Sequence, residues 1–302
     1  MHPTLFLGTA LWGWTVSKET AFQLLDYFYQ QGFRQVDAAT NYPINKIPAD
    51  FRRSEEILLE WIQAHSIQDM KVIMKVGSLN NMYTPDQNLT KSFLLMNLDD
   101  YQGKFGTNLD ALMIHWDNRD KPAEIDESLS AFDYVYQQGL SVGLSGIKHP
   151  EIYHDLNKRY AFDFSIQIKH NLLYSDYARY TSFHGKRRFI TYGINAGGLK
   201  LSVKSYHRQS SLKVRGGDTT NAHPIIPQLQ ALIPKLNQSS ERPDIQLFNH
   251  IGLCHAFHSP DIKGILVGCS RLEQLEDSIA FHRHLIDFDY RDVYLRLLEL
   301  KT

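Results

Sequence analysis

Four residues of types that move protons stand at comparable places along the chain. Asp37 and Tyr42 follow the short apolar run around Val36, Lys75 lies inside KVIMKV, and His115 closes LDALMIH. A carboxylate, a phenol, an amine and an imidazole gathered at one point would suit delivery of a proton to a carbonyl oxygen. A free tyrosine titrates near 10, so Tyr42 works better as a general acid at neutral pH if a nearby ammonium lowers its pKa. Lys75 would supply that field, Asp37 would keep the lysine charged and oriented, and His115 would hydrogen-bond the substrate oxygen. Singly, each has a plainer explanation. An Asp after a strand caps helices, a Tyr in a loop packs, and a His on an apolar strand is commonly a satisfied core residue. The joint argument rests on all four lying at the ends of successive strands.

Those strands follow from patterning. Short apolar runs alternate with longer amphipathic segments, as in a parallel sheet covered by helices. The runs Leu5–Leu7, Gln35–Asp37, Lys71–Val76, Ala111–His115, Ser141–Ser145, Phe164–Lys169, Arg188–Tyr192 and Gly264–Val267 predict eight strands. Helical spacing lies between them, at Leu24, Leu25 and Phe28, at Ile57, Leu58 and Trp61, and at Phe132, Val135 and Tyr136. With no Pro- or Ser-rich linker at mid-length, the 302 residues read as one (β/α)8 TIM barrel domain over 1–302, a doubly wound sheet being the alternative. The C-terminal strand ends of such a barrel converge on one mouth. Two polar stretches, 78–92 and 193–227, exceed ordinary connector length and read as loops at that mouth.

Composition sets the class. Hydrophobic residues make up 43% and charged residues 22%, with a net charge of −1, the balance of a globular chain with a large core. Cys254 and Cys269 form no CxxC pair, which fits a reducing, cytoplasmic setting. The N-terminal MHPTLFLGTALWGW lacks a basic segment and a cleavage pattern, and no run approaches the roughly 18 apolar residues of a membrane span. The short basic clusters Arg52-Arg53 and Lys186-Arg187-Arg188 do not suggest nucleic acid. Asn88-Leu-Thr90 and Asn237-Gln-Ser239 match glycosylation acceptors without a secretion signal to go with them. His255-x-x-His258 and His282-x-His284 lack the flanking carboxylate of a zinc helix, so no metal is expected.

A second site signal is ILVGCSRLEQLEDSIAF, from Ile265 to Phe281, which reads strand, glycine turn, helix. Ser270 and Glu273 predict a capping box, with Leu272, Leu275 and Ile279 as the buried stripe. Arg271 in the first turn opposes the helix dipole, so an anion at that end would account for it; the plainer reading is a surface arginine. Gly268 allows close backbone approach.

The ordered series LGTALWGW, DAATNY, RRSEEILLEWI, KVIMKVG, LDALMIHWD, GLSVGLSG, SIQIKHNLL, ITYGINAGGLK and VGCSRLEQLEDS resembles the aldo-keto reductase family from about residue 5 to 285. The resemblance implies a reductase of aldehydes or ketones, or a dehydrogenase of the alcohols, using NADP(H), with Asp37, Tyr42, Lys75 and His115 as its catalytic residues. It implies that Ser145 and Gln167 hold the nicotinamide carboxamide, that Tyr192 stacks on the nicotinamide, and that Ser270 and Arg271 bind the 2′-phosphate. Gln274 and Asp277 would then meet the adenosine end, with Gly8, Thr9 and Gly268 beside the cofactor. Three positions depart from the pattern. Gly146 and Ser278 stand where the family usually has Asn, and PINKIPADFRR makes the connection after Tyr42 longer than the common tight turn. Substrate closure would fall to the long loops and to Trp12, Trp14 and Trp116. Two other classes stay open: an aldolase-like barrel with Lys75 as a Schiff-base amine, and a cofactor-sensing module with little turnover. The partner expected is a small carbonyl or alcohol compound.

Overall fold

In this computed structural model, residues 2–185, 188–208, 210–238 and 241–300 are described. Lys186 and Arg187 of the basic cluster, and Ser239 of the second glycosylation match, lie outside the described residues. Strands β1 (Thr4–Gly8), β2 (Gln35–Ala39), β3 (Lys71–Val76), β4 (Leu109–His115), β5 (Ser141–Ser145), β6 (Ser165–Asn171), β8 (Arg188–Tyr192) and β9 (Ile262–Val267) pair in parallel. The β1–β9 and β5–β6 pairings close them into a barrel of eight. A two-residue strand, β7 (Tyr174–Ser175), forms a hairpin with the end of β6.

The helices are α1 (Lys18–Gln30), α2 (Arg53–Ala64), α3 (Lys91–Phe105), α4 (Pro122–Gln137), α5 (Pro150–Tyr160), α6 (Ser211–Val214), α7 (Ile225–Asn237), α8 (Phe248–His258), α9 (Leu272–Asp287) and α10 (Arg291–Leu298). Their apolar stripes explain where they lie. In α1 the buried residues are Ala21, Leu24, Leu25 and Phe28, one face at helical spacing, and Ser17 caps the start by accepting from the Thr20 N–H at 3.2 Å. In α2, Ile57, Leu58, Trp61 and Ile62 do the same, and the Trp61 indole N–H is satisfied by Asp26 at 2.8 Å.

The expected strict β–α alternation fails once. Between β6 and β8 the chain runs through the β7 hairpin and a 3-10 segment, Tyr177–Phe183, broken at Tyr180. The hairpin uses up part of a short connection, and Tyr180 and Phe183 are buried as anchors there, which leaves no room for a full amphipathic helix. The stretch 193–227 is also less irregular than its composition suggests, since it contains a 3-10 turn at Val203–Ser205, all of α6 and the start of α7.

Strand alternation sorts the barrel's side chains into two sets. Ile73, Ala111, Met113 and Ile190, with Phe6 and Leu266 against them, fill the interior. Glycines make that filling possible: a Cβ on Gly264 would lie 2.5 Å from Phe6, and one on Gly143 would lie 2.5 Å from Met113. Two residues beyond Ile73 comes Lys75, two beyond Met113 comes His115, and two beyond Ile190 comes Tyr192. The same inward phase that packs the apolar layer therefore sends these polar groups to the barrel's C-terminal mouth. Among the described residues no helix is long and apolar enough to cross a membrane.

Candidate active site

A cavity of about 880 Å³ opens at that mouth, lined by Asp37, Tyr42, Lys75 and His115 at its floor. Asp37 and Lys75 are each 1% exposed and His115 is 3% exposed. The Lys75 ammonium donates to Asp37 Oδ2 and lies 5.0 Å from the centre of the Tyr42 ring. Tyr42 stands nearly perpendicular to the His115 imidazole, at 86° and 6.0 Å between ring centres.

The electrostatics differ from the sequence expectation in one respect. Burial pushes the Tyr42 phenol up, and Lys75 only partly offsets this, so its pKa is raised rather than lowered. Burial also works against the Lys75 ammonium, but Asp37 and Tyr42 outweigh it and the pKa is raised. His115 is pulled well below the usual imidazole range, first by burial and then by Lys75, and is therefore neutral at pH 7. Its Nδ1 is buried without a hydrogen-bond partner.

Strand register brings further groups to this floor. Ser145 sits across from His115 on one side and from Gln167 on the other. Ser145 Oγ donates to Gln167 Oε1 at 3.3 Å, and Gln167 Nε2 donates to the second carboxylate oxygen of Asp37 at 2.5 Å. Gln167 thus braces Asp37 in addition to facing the cavity, a link across 130 residues that the sequence did not signal. Thr9 is fully buried, and both its N–H (3.1 Å) and its hydroxyl (3.0 Å) donate to the Asp37 carbonyl. Gly8 and half-buried Tyr192 also line the cavity.

The cavity continues to the start of α9, past Gly268, Ser270, Arg271, Gln274 and Asp277. The predicted capping box is absent. Helix α9 begins at Leu272 with Arg271 as an extended N-cap making no side-chain cap, because Ser270 turns its N–H (3.0 Å) and hydroxyl (3.2 Å) to Gln274 Oε1 instead. The helix N-terminus therefore faces the cavity uncapped. Lys200 and His207 lie close enough to Arg271 to feel its charge: burial and then Arg271 lower both pKa values. Asp277 is already engaged by His250 Nε2 at 3.0 Å and by Asn249 Nδ2 at 3.4 Å. An added Cβ on Gly268 would meet nothing within 4 Å, and Asn195 Oδ1 on the cavity wall is buried without a partner.

The tryptophans divide. Trp116 lines the cavity and packs against His115, with ring centres 4.4 Å apart and the planes tilted by 35°. Trp12 is 1% exposed inside the core, and Trp14 packs against the same core; neither lines the cavity. Gly146 is explained by Trp116. A Cβ there would come within 2.5 Å of the indole, and the backbone has a positive φ of 68°, so a side chain at this position is both crowded and strained. Ser278 donates to the Gln274 carbonyl at 2.6 Å and accepts from Asn249 at 2.9 Å.

The 43–53 connection and the 78–92 loop form one rim. Asn81, 2% exposed, donates to the Ile47 carbonyl at 2.7 Å, to Asn45 Oδ1 at 3.1 Å and to the Pro43 carbonyl at 3.3 Å. Sequence reasoning missed Asn81, Tyr83, Asn195, Lys200, His207 and Arg215, all in loops without periodicity; the Gly-rich GINAGG just before Lys200 was the one available signal. His255 and His258 lie in α8, while His282, in α9, shares a hydrogen bond with the Pro3 carbonyl at 2.7 Å. Among the described residues no group of three or more His, Cys, Asp or Glu could hold a metal ion.

A model of the Aldo/keto reductase family matches residues 4–292. The chain belongs to the aldo/keto reductase family. Norsolorinic acid reductase stcV of Emericella nidulans is 24% identical, covering 91% of this chain and 73% of stcV. AAD3 of Saccharomyces cerevisiae is 30% identical over 142 residues, and protein tas of Escherichia coli is 32% identical over 122 residues. These matches cover 43% and 38% of this chain, and only 37% of AAD3 and 35% of tas. Among solved structures, the thermostable aldo-keto reductase Tm1743, in complex with the inhibitor epalrestat, superposes with a TM-score of 0.69. It is 18% identical, covering 99% of this chain and 95% of that one, a likeness of fold.

Proposed function

We propose that the protein reduces an aldehyde or ketone to an alcohol, or runs the reverse oxidation, with NADPH as its cofactor. The observation that carries this reading is the convergence of Asp37, Lys75, Tyr42 and His115 on the floor of one cavity large enough for a cofactor and a substrate together. Membership in the aldo/keto reductase family supports the reaction class. The residues fit NADPH. The uncapped start of α9, with Arg271, Lys200 and His207 around it, suits a phosphate, and Arg271 would have no 2′-phosphate to neutralise in NAD. Ser145, Tyr192, Gly8 and Thr9 would flank the nicotinamide, Gly268 and Ser270 the phosphate, and Gln274 and Asp277 the adenosine end. The unpartnered Asn195 Oδ1 offers an acceptor on the same wall.

The chemistry that NADPH supplies when bound is a hydride for the carbonyl carbon. Tyr42 gives its proton to the carbonyl oxygen. The phenol is protonated at neutral pH; burial raises its pKa and so opposes release of that proton, and the Lys75 ammonium partly offsets this. Lys75, held charged by Asp37, stabilises the phenolate left behind. Neutral His115 offers an N–H to the same oxygen and places it over Tyr42. Gln167 and Lys75 together fix the Asp37 carboxylate. The raised pKa of Lys75 opposes the Schiff-base alternative, which needs a free amine.

The test is a fluorescence titration with NADPH and with NADH, followed by a screen of aldehydes, ketones and sugars for loss of cofactor absorbance. NADPH should bind more tightly and be consumed with at least one carbonyl class; no NADPH binding would overturn the proposal.

A further inference from the structure

Tyr42 and Lys75 must keep a fixed relation, yet each leads into a long loop. The sheet joins their segments as far as the Ala39–Lys75 pair and the Thr40 N–H on the Lys75 carbonyl at 3.0 Å. Tyr42 lies past that last bond, where the 43–53 connection begins, and Lys75 is followed by the 78–92 loop.

Asn81 joins the two segments again beyond the sheet. Its single NH2 group is shared by three oxygens of the Tyr42 side: the Ile47 carbonyl at 2.7 Å, Asn45 Oδ1 at 3.1 Å, and at 3.3 Å the carbonyl of Pro43, the residue next to Tyr42. Three oxygens around one nitrogen fix which way the amide faces. Its Oδ1 is buried without a partner, an unfavourable state, so the side chain is held there by what its N–H groups do. The loops meet a second time where the Lys46 ammonium lies 5.2 Å from the centre of the Tyr83 ring. Lys46 and Tyr83 both have left-handed backbone, at φ 61°, a conformation that side-chain-bearing residues keep where their surroundings hold it. Tyr83 in turn faces Trp116, with ring centres 6.1 Å apart, and Trp116 packs on His115, so the loop bears on the imidazole as well.

We propose that Asn81 is a positioning residue of the proton-transfer centre: it ties the loop that follows Lys75 to the connection that follows Tyr42, and so sets where the phenol stands relative to the ammonium and the imidazole. Asn81 does not line the cavity and acts through the backbone it holds. A misplacement of about 1 Å can slow such a reaction about a hundredfold, and a fraction of that shift about tenfold. This inference rests on the carbonyl-reductase reading and adds to it a residue that places its acid.

The experiment measures kcat, KM and the D2O solvent isotope effect with NADPH and 4-nitrobenzaldehyde, or the best carbonyl of the screen. Rates are taken per NADPH-binding site, so that an unfolded fraction drops out. Asn81→Ala removes the amide, and Asn81→Asp keeps its size but has no N–H to give. Asn80→Ala is the control, because Asn80 bonds to Met82, Thr84 and Asp86 inside its own loop. Both Asn81 variants should lower kcat about tenfold and raise the solvent isotope effect, as proton transfer becomes the slower step, with the NADPH dissociation constant unchanged. Asn80→Ala should match the wild type. Wild-type kcat in Asn81→Asp, an unchanged isotope effect, a change confined to KM, weaker NADPH binding, or an equal loss in Asn80→Ala each overturns the inference and leaves the reductase reading standing. If the wild type turns over no carbonyl of the screen, that reading fails and this inference with it.

Discussion

Replacing Lys75 with Met removes the ammonium and nearly keeps the stem, so the experiment isolates the buried charge pair. Lys75 and Asp37 are each 1% exposed, and in the variant Asp37 keeps Gln167 as its side-chain partner. Breaking a buried pair from one side costs about 3–5 kcal/mol, because the remaining charge is stranded. The retained Gln167 bond puts Lys75→Met at the lower end, about 3 kcal/mol, which in a chain of this length is about 5 °C in Tm. The double variant Lys75→Met/Asp37→Asn has no stranded charge and should regain most of that loss. Neither variant should turn over a carbonyl at more than about a hundredth of the wild-type rate. Circular-dichroism melts and NADPH consumption read the two effects separately. A double variant melting no higher than Lys75→Met would refute the reasoning.

The pH dependence gives a second check on the same pair. The Lys75 pKa is raised above 10.5 in the folded chain, so its contribution is complete below that value and fades only as the pH climbs through the raised one. The Tm gap between the wild type and Lys75→Met should therefore stay level from about pH 6 to about pH 9. A gap that narrows across that range would contradict the geometry.

Two further outcomes follow from other residues. Gly146→Asn, which restores the family's side chain, should cost about 1–3 kcal/mol, through the collision with Trp116 and the left-handed backbone at this position, and Gly146→Asn/Trp116→Ala should recover only the part due to the collision; thermal melts check both. Burial holds His255 at about 3, so below about pH 6.5 the unfolded chain binds a proton that the folded chain refuses, and stability falls as the pH drops from there toward 3. His255→Phe should flatten the fall in Tm between about pH 6.5 and about pH 4.5, and an unchanged slope would rule out this histidine as a source.

The barrel was legible because its strands and helices have different hydrophobic periods, and because polar residues fall two positions beyond apolar ones at Lys75, His115 and Tyr192. Where periodicity was missing, prediction stopped. The 3-10 segment at Tyr177–Phe183 was not foreseen, since aromatic anchors rather than a helical stripe set its course. Ser270 met the pattern of a helix cap and failed as one, because Gln274 competed for its hydroxyl. Trp12 and Trp14 looked like pocket residues by type alone, but Trp12 is buried in the core and Trp14 packs against it. The expected lowering of the Tyr42 pKa came from counting Lys75 without weighing burial, which is the larger effect. Gln167 bracing Asp37 depends on barrel closure, which no local motif records.

The central claim is that Tyr42 hands the proton to the substrate from a site that binds NADPH without needing the phenol. Tyr42→Phe measured against the wild type for both NADPH affinity and carbonyl turnover tests it most directly. The account predicts an unchanged NADPH dissociation constant and a turnover lower by at least about a hundredfold. A Tyr42→Phe protein that reduces a confirmed substrate at near wild-type rate would contradict it.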